Sequence, residues 1–150
     1  MQKSIAESVI QRVSKLEIQD HKFTILIPTC NNLPYLKLCL ESMSENSHFK
    51  HQIIIVVNEG IDGTLEWVKS HPALDYVYAE KNIGICYGLN SCRSLIKTDY
   101  IVYLNDDMYL LPERDLYLWN DVGDIGHPYF IISATIIEPF FFKESLRNCC

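Results

Sequence analysis

The chain has 150 residues, 48% hydrophobic and 21% charged, which is enough to bury a core and too apolar for intrinsic disorder. A formal net charge of −6 excludes the basic footprint of a nucleic-acid binder. It leaves room for an anionic ligand, because a bound cation can bridge two negative groups. No apolar run reaches the roughly 18 residues of a membrane span; the longest, Tyr129 to Ile137, is interrupted by Ser133 and Thr135. Six cysteines (30, 39, 86, 92, 149 and 150) contain no C-x-x-C pair, so zinc is not expected. Without a secretion signal they read as free thiols.

Residues 1–20, MQKSIAESVIQRVSKLEIQD, are too polar for a signal peptide and read as an amphipathic helix preceding a domain over 21–150. Ser4 and Glu7 make a capping-box pattern, and Ile5, Val9, Val13 and Leu16 form one stripe. KFTILIP is a short apolar run ended by Pro28, a buried strand, and TCNN is a turn. LPYLKLCLESMSE places Leu33, Leu36, Leu40 and Met43 on one helical face, with Pro34 in the first turn.

QIIIVVNEG is a second strand whose unbroken branched run suits a sheet covered on both faces. DGTLEWVKSH is a short helix capped by Asp62 or Thr64. DYVYAE is a third strand, and KNIGICYGLNSCRSLIKT a glycine-bearing loop entering a helix. DYIVYLNDD is a fourth strand, LPERDLYLWNDVG a short helix or irregular segment, and PYFIISATIIEP a fifth strand. The alternation predicts right-handed βαβ crossovers, hence an α/β fold with a mostly parallel sheet flanked by helices.

Ligands of such sheets sit at the carboxyl ends of the strands. Those ends carry Pro28-Thr29-Cys30-Asn31, Asn58-Glu59-Gly60, Glu80-Lys81-Asn82 and Asn105-Asp106-Asp107. Strand alternation would point Asn105 and Asp107 to one face and Asp106 to the other. Oxygen donors at a strand tip suit Mg²⁺ or Mn²⁺, and the competing reading is a solvated strand end. Glu59 either accepts hydrogen bonds from a ligand or simply occupies a βα turn. Gly84 and Gly88 either admit phosphate at a helix start or let helix and sheet pack closely. No histidine sits in a recognisable triad with Ser or Cys.

In order, FTILIPTCNNLPYLKLCLESM, IIIVVNEGIDGT and EKNIGICYGLNSCRSLIKTDYIVYLNDDM resemble the family 2 glycosyltransferases over residues 22–112. That resemblance implies a GT-A fold, Rossmann-like, and transfer of a sugar from a nucleotide diphosphate sugar with inversion, dependent on Mg²⁺ or Mn²⁺. By position it assigns Pro28, Thr29, Asn31, Glu59, Asn82, Gly84, Asn105 and Asp106 to the donor and Asp107 with Asn105 to the metal. Asn58-Glu59 departs from the family's Asp pair, and Asn105 stands where the first Asp of D-x-D does.

The resemblance puts the catalytic base and acceptor region after the fifth strand, close to where this sequence ends. Glu138, the one acid at that strand's tip, becomes the candidate base, and the domain is expected to be truncated on its acceptor side. The implied acceptor is a carbohydrate, lipid or protein, with no nucleic acid, in the cytoplasm or peripherally at the inner membrane surface. A non-catalytic nucleotide-sugar-binding or interaction module is the alternative. A sugar-nucleotide pyrophosphorylase would need a basic glycine-rich loop where TCNNLPY stands, and a receiver domain would need acids there.

Overall fold

The computed structural model describes residues 10–17, 19–127 and 130–132. Among these, five strands form one sheet in the order β1-β4-β3-β2-β5. The strands are β1 (Ile10–Val13), β2 (Phe23–Cys30), β3 (Gln52–Asn58), β4 (Asp75–Ala79) and β5 (Tyr100–Tyr103). The helices between and after them are α1 (Leu33–Asn46), α2 (Thr64–Ser70), α3 (Ile85–Ser91) and α4 (Arg114–Asp124). β2 pairs in parallel with β3 and β5, and β3 with β4, as alternating strands and helices require.

β2 and β3 occupy the centre, which explains their composition. Ile54, Ile55, Val56 and Val57 are all fully buried, so consecutive side chains enter apolar layers on opposite faces. One layer holds Phe23, Ile25, Ile27, Ile55 and Val57 against Leu36, Cys39 and Met43 of α1 and Val68 of α2, with Val122 of α4. The other holds Leu26, Ile54, Val56 and Val77 against Cys92 and Leu95. Gly88 lets α3 approach this second layer: a Cβ there would stand 2.8 Å from Val56 Cγ1.

The N-terminal segment corrects the helical expectation. Residues 1–9 lie outside the described residues, but Ile10–Val13 is a strand, antiparallel to β4 with Ile10 opposite Ala79 and Val13 opposite Tyr76. Ile10 packs on one apolar layer and Val13 on the other, a placement that a strand allows and a helix with its i, i+3 neighbours on one side does not. Edge pairing satisfies the backbone, and side chains fasten the chain beyond it. Lys15 Nζ donates to the carbonyls of Val68, Lys69 and His71 at 3.0 Å each, closing the end of α2. Asp75, fully buried, accepts the Lys15 and Leu16 N–H groups at 2.5 and 3.0 Å.

Of the fifth strand expected over 128–139, residues 130–132 are described and have no regular secondary structure; the rest lies outside the described residues. Among the described residues no helix is long and apolar enough to cross a membrane. The described cysteines 30, 39, 86 and 92 are free thiols. Burial pushes the thiols of Cys39 and Cys92 up to about 12.

Candidate functional site

A cleft of about 710 Å³ opens at the carboxyl ends of β2, β3 and β5. It is lined by Pro28, Thr29 and Asn31 from the end of β2 and the turn after it, Asn82 and Gly84 before α3, and Asn105 and Asp106 after β5. The structure therefore brings seven of the sequence-predicted donor residues together. Asn58, Asn32, Cys30, Cys86 and Ile85 also line it, and the sequence assigns none of them to the donor. The signal for Asn58 was available, since it shares the register of Val56 on the face covered by α3 and stands at a strand end.

Glu59 sits beside the cleft through Asn31. Asn31 Nδ2 donates to Glu59 Oε2 at 2.9 Å, while Asn31 Oδ1 accepts the Ile61 N–H at 2.9 Å. Both residues hold left-handed backbone, φ 51° at Asn31 and 65° at Glu59, and Gly60 follows at 72°. Asn tolerates that region and Glu does so only at a cost. Gly60 is required twice over, because a Cβ would meet Val57 Cγ1 at 2.8 Å. Asp62 then joins two helix starts, accepting the Leu33 N–H at 2.8 Å and the Thr64 hydroxyl at 2.6 Å. Burial alone would raise its pKa, but these bonds prevail and hold its carboxyl below the usual range. The cap residue of α2 is Gly63, neither Asp62 nor Thr64, and Asp62 accepts the Thr64 N–H at 3.1 Å from one position before it.

Asn82 closes a tight turn, its Oδ1 accepting the Gly84 N–H at 2.9 Å, and Gly84 has φ 76°. Asn58 Oδ1 accepts the Ile83 N–H at 3.1 Å and so docks this turn on β3. Thr29 is buried, and among the described residues its Oγ1 has no hydrogen-bond partner.

Asn105 and Asp107 do not share a strand face. β5 ends at Tyr103, and Asp106-Asp107 lie in a turn closed by the Met108 N–H to the Asn105 carbonyl at 3.3 Å. Once the chain leaves extended geometry, the period of two no longer governs where side chains point. Asn105 and Asp106 line the cleft, and Asp107 is exposed just beyond that lining. Asn105 Oδ1 also accepts the Tyr103 hydroxyl. Glu138, the candidate base, lies outside the described residues.

The electrostatics of the cleft are one-sided. Among the described residues no lysine or arginine lines it. Burial raises the Cys30 pKa, and the carboxylates of Glu59, Asp62 and Asp106 raise it further. A diphosphate entering this field would be repelled unless a cation accompanied it. Among the described residues no group of three or more His, Cys, Asp or Glu forms a ready-made metal cage. The turn does offer two carboxylates and an amide oxygen. That donor set suits Mg²⁺ or Mn²⁺, which take one or two carboxylates and leave their other positions to water and phosphate.

Comparison with known proteins agrees with this geometry. The family model described as glycosyl transferase family 2 matches residues 24–147. Glycosyltransferase GlyA of Streptococcus pneumoniae serotype 4 is 28% identical over 95 residues, covering 61% of this chain and 14% of that protein. S. aureus TarS 1-349 in complex with UDP superposes with a TM-score of 0.60 at 20% identity, covering 69% of this chain and 32% of that one. A mannosyltransferase of Pyrobaculum calidifontis in complex with GDP-Man and Mn2+ does so with a TM-score of 0.58 at 25% identity, covering 71% and 33%. The sheet and its helices thus have the GT-A fold. The chain spans about a third of the length of these solved structures and 14% of the curated relative.

Proposed function

The chain belongs to glycosyl transferase family 2, and from that premise we propose that its cleft binds the nucleotide diphosphate sugar donor of a glycosyltransferase together with Mg²⁺ or Mn²⁺. The observation that carries the proposal is the acidic field of the cleft, which among the described residues has no basic lining residue. An anionic donor needs a positive partner there, and Asn105 and Asp106 in the cleft lining, with Asp107 next in sequence, offer oxygen donors to a cation. The complexes of related proteins with UDP, and with GDP-Man and Mn2+, support the same reading.

In this reading the residues divide the donor between them. Pro28, Thr29 and Asn58 line the part of the cleft that takes the nucleoside. Glu59, oriented by Asn31, accepts a hydrogen bond from the ribose or base. Asn82 and Gly84 form the wall beside the diphosphate. Asn105 with Asp106 or Asp107 holds the cation, which supplies Lewis-acid neutralisation of charge on the leaving diphosphate. An acceptor hydroxyl, deprotonated by a carboxylate for which Glu138 is the candidate, attacks the anomeric carbon from the opposite face and inverts it. The acceptor is a carbohydrate, lipid or protein, and a lipid acceptor would bring the enzyme to the cytoplasmic membrane surface.

Calorimetric titration of UDP, GDP and dTDP, each with Mn²⁺ and with chelator, tests the donor site. One nucleotide should bind only with Mn²⁺, and either Asp106→Ala or Asp107→Ala should abolish that binding while leaving the melting temperature unchanged. Binding indifferent to Mn²⁺ overturns the cation, and no binding by any nucleotide overturns the donor site. Metal-dependent binding without hydrolysis or transfer of any sugar donor would favour a non-catalytic binding module.

A further inference from the structure

The segment 104–113 that carries the Asn105-Asp106-Asp107 turn has no helix or strand of its own. Short irregular segments of this kind are mobile unless other elements hold their backbone. Here one face of α1 holds it at three successive levels. Cys39 donates its Sγ–H to the Asn105 carbonyl at 3.7 Å. Ser42 Oγ accepts the Leu110 N–H at 3.0 Å. Asn46 Nδ2 donates to the Leu110 carbonyl at 2.9 Å. The carbonyl of Asn46 also accepts the Glu113 N–H at 3.1 Å. Both backbone polar groups of Leu110 are therefore satisfied by side chains of one helix, as a neighbouring strand would satisfy them.

The spacing 39, 42, 46 places these side chains on one stripe, within a face otherwise built from Leu36 and Met43. A serine inside a helix lowers helix propensity, and a buried hydroxyl is costly unless bonded on both sides. Ser42 is 1% exposed and is so bonded, donating to the Cys39 carbonyl at 2.7 Å while accepting from Leu110. Cys39 is fully buried, and its thiol donates to the Asn105 carbonyl. A polar rail in the apolar stripe of α1 is not what core burial alone selects.

We propose that Ser42 and Asn46, with Cys39, are positioning residues. They fix the backbone of 105–110 so that Asn105 and the aspartates meet the cation of the donor complex. The proposal rests on the reading of that turn as the cation-holding part of the donor site. None of the three lines the cleft except through the segment it holds.

Hydrogen exchange by mass spectrometry, with Mn²⁺-dependent nucleotide titration on the same samples, tests it. Ser42→Ala and Asn46→Ala each remove one bond to Leu110, and Ser44→Ala, exposed on the same helix, is the control. Each rail variant should exchange amides 105–110 about tenfold faster than wild type, the loss of about one hydrogen bond. Mn²⁺-dependent nucleotide affinity should fall by a similar factor. Ser42→Thr, which keeps the hydroxyl, should recover most of the affinity. Asn46→Ala, at a half-buried position, keeps the test available should Ser42→Ala fail to fold. Unchanged exchange at 105–110 in Asn46→Ala overturns the proposal, as does faster exchange with undiminished Mn²⁺-dependent affinity. If wild type binds no nucleotide with Mn²⁺, the donor-site reading fails, while the exchange arm still decides whether α1 holds the segment.

Discussion

At the scale of single residues, the site is built from backbone conformations that its side chains then lock. Glu59 occupies φ 65° because β3 must turn sharply after Asn58, and the Asn31 amide holds its carboxylate. Relieving a left-handed non-glycine residue gains about 1 kcal/mol, and losing one partly buried hydrogen bond costs about the same. Glu59→Gly should therefore leave the urea midpoint nearly unchanged while weakening nucleotide binding at least tenfold. A stable variant with undiminished affinity would reduce Glu59 to a turn residue. Asn31→Ala removes the bond while keeping the carboxylate, and should weaken binding less than Glu59→Gly does.

At the scale of elements, α3 is held against β3 by the absence of a side chain. An alanine inside a helix normally stabilises it over glycine by up to about 1 kcal/mol. At Gly88 the added Cβ would stand 2.8 Å from Val56 Cγ1, and overpacking of that kind costs about 1–3 kcal/mol. Gly88→Ala should therefore destabilise the protein, and Val56→Ala in the same chain should recover part of the loss. A more stable Gly88→Ala would mean that α3 can withdraw from the sheet. Because α3 carries Ile85 and Cys86 of the cleft wall, the same substitution should also lower nucleotide affinity.

At the scale of the whole molecule, acid should weaken the fold in two windows. His51 is buried beside Phe23, ring centroids 5.5 Å apart, and its Nε2 lies 3.0 Å from Asp115 Oδ2. Burial lowers its pKa below 6.5, against the hydrogen bond and charge of Asp115, which raise it. The unfolded chain then binds the proton more readily, so stability present above 6.5 is lost as pH falls toward the folded value. Asp115 is raised by burial, but the His48 and Phe49 N–H groups and His51 together bring its pKa below 3.8. Its contribution, present above 3.8, disappears as pH falls through the folded value. Urea midpoints should fall as pH drops below 6.5, and His51→Gln should flatten that limb. An unchanged slope in His51→Gln would place the titrating group elsewhere. Asp115→Asn, which weakens bonds to a buried carboxylate, should cost about 1.5–3 kcal/mol at neutral pH.

The order of strands and helices was readable in the sequence because each element carries its own period and its own breakers. The branched run of β3, Pro28 inside β2 and the stripe of α1 would read the same way in isolation. Strand ends follow from that order, so most of the cleft's wall was legible too, down to Pro28, Thr29, Asn82 and Gly84. Other features depended on what lies across the fold. Ile10–Val13 fits a helical stripe as well as a strand, and only the free edge of β4 and the carboxylate of Asp75 decide for the strand. Asn105-Asp106-Asp107 looked like a strand tip because its period continued from β5. Its turn is held through the Asn105 carbonyl, which meets both Met108 and Cys39, and the Cys39 contact spans 66 positions of sequence. Local pattern determined the elements, since it is written within a few residues. Which carboxylate faces the cleft was decided by hydrogen bonds between distant residues, which exist only once the helices are packed on the sheet.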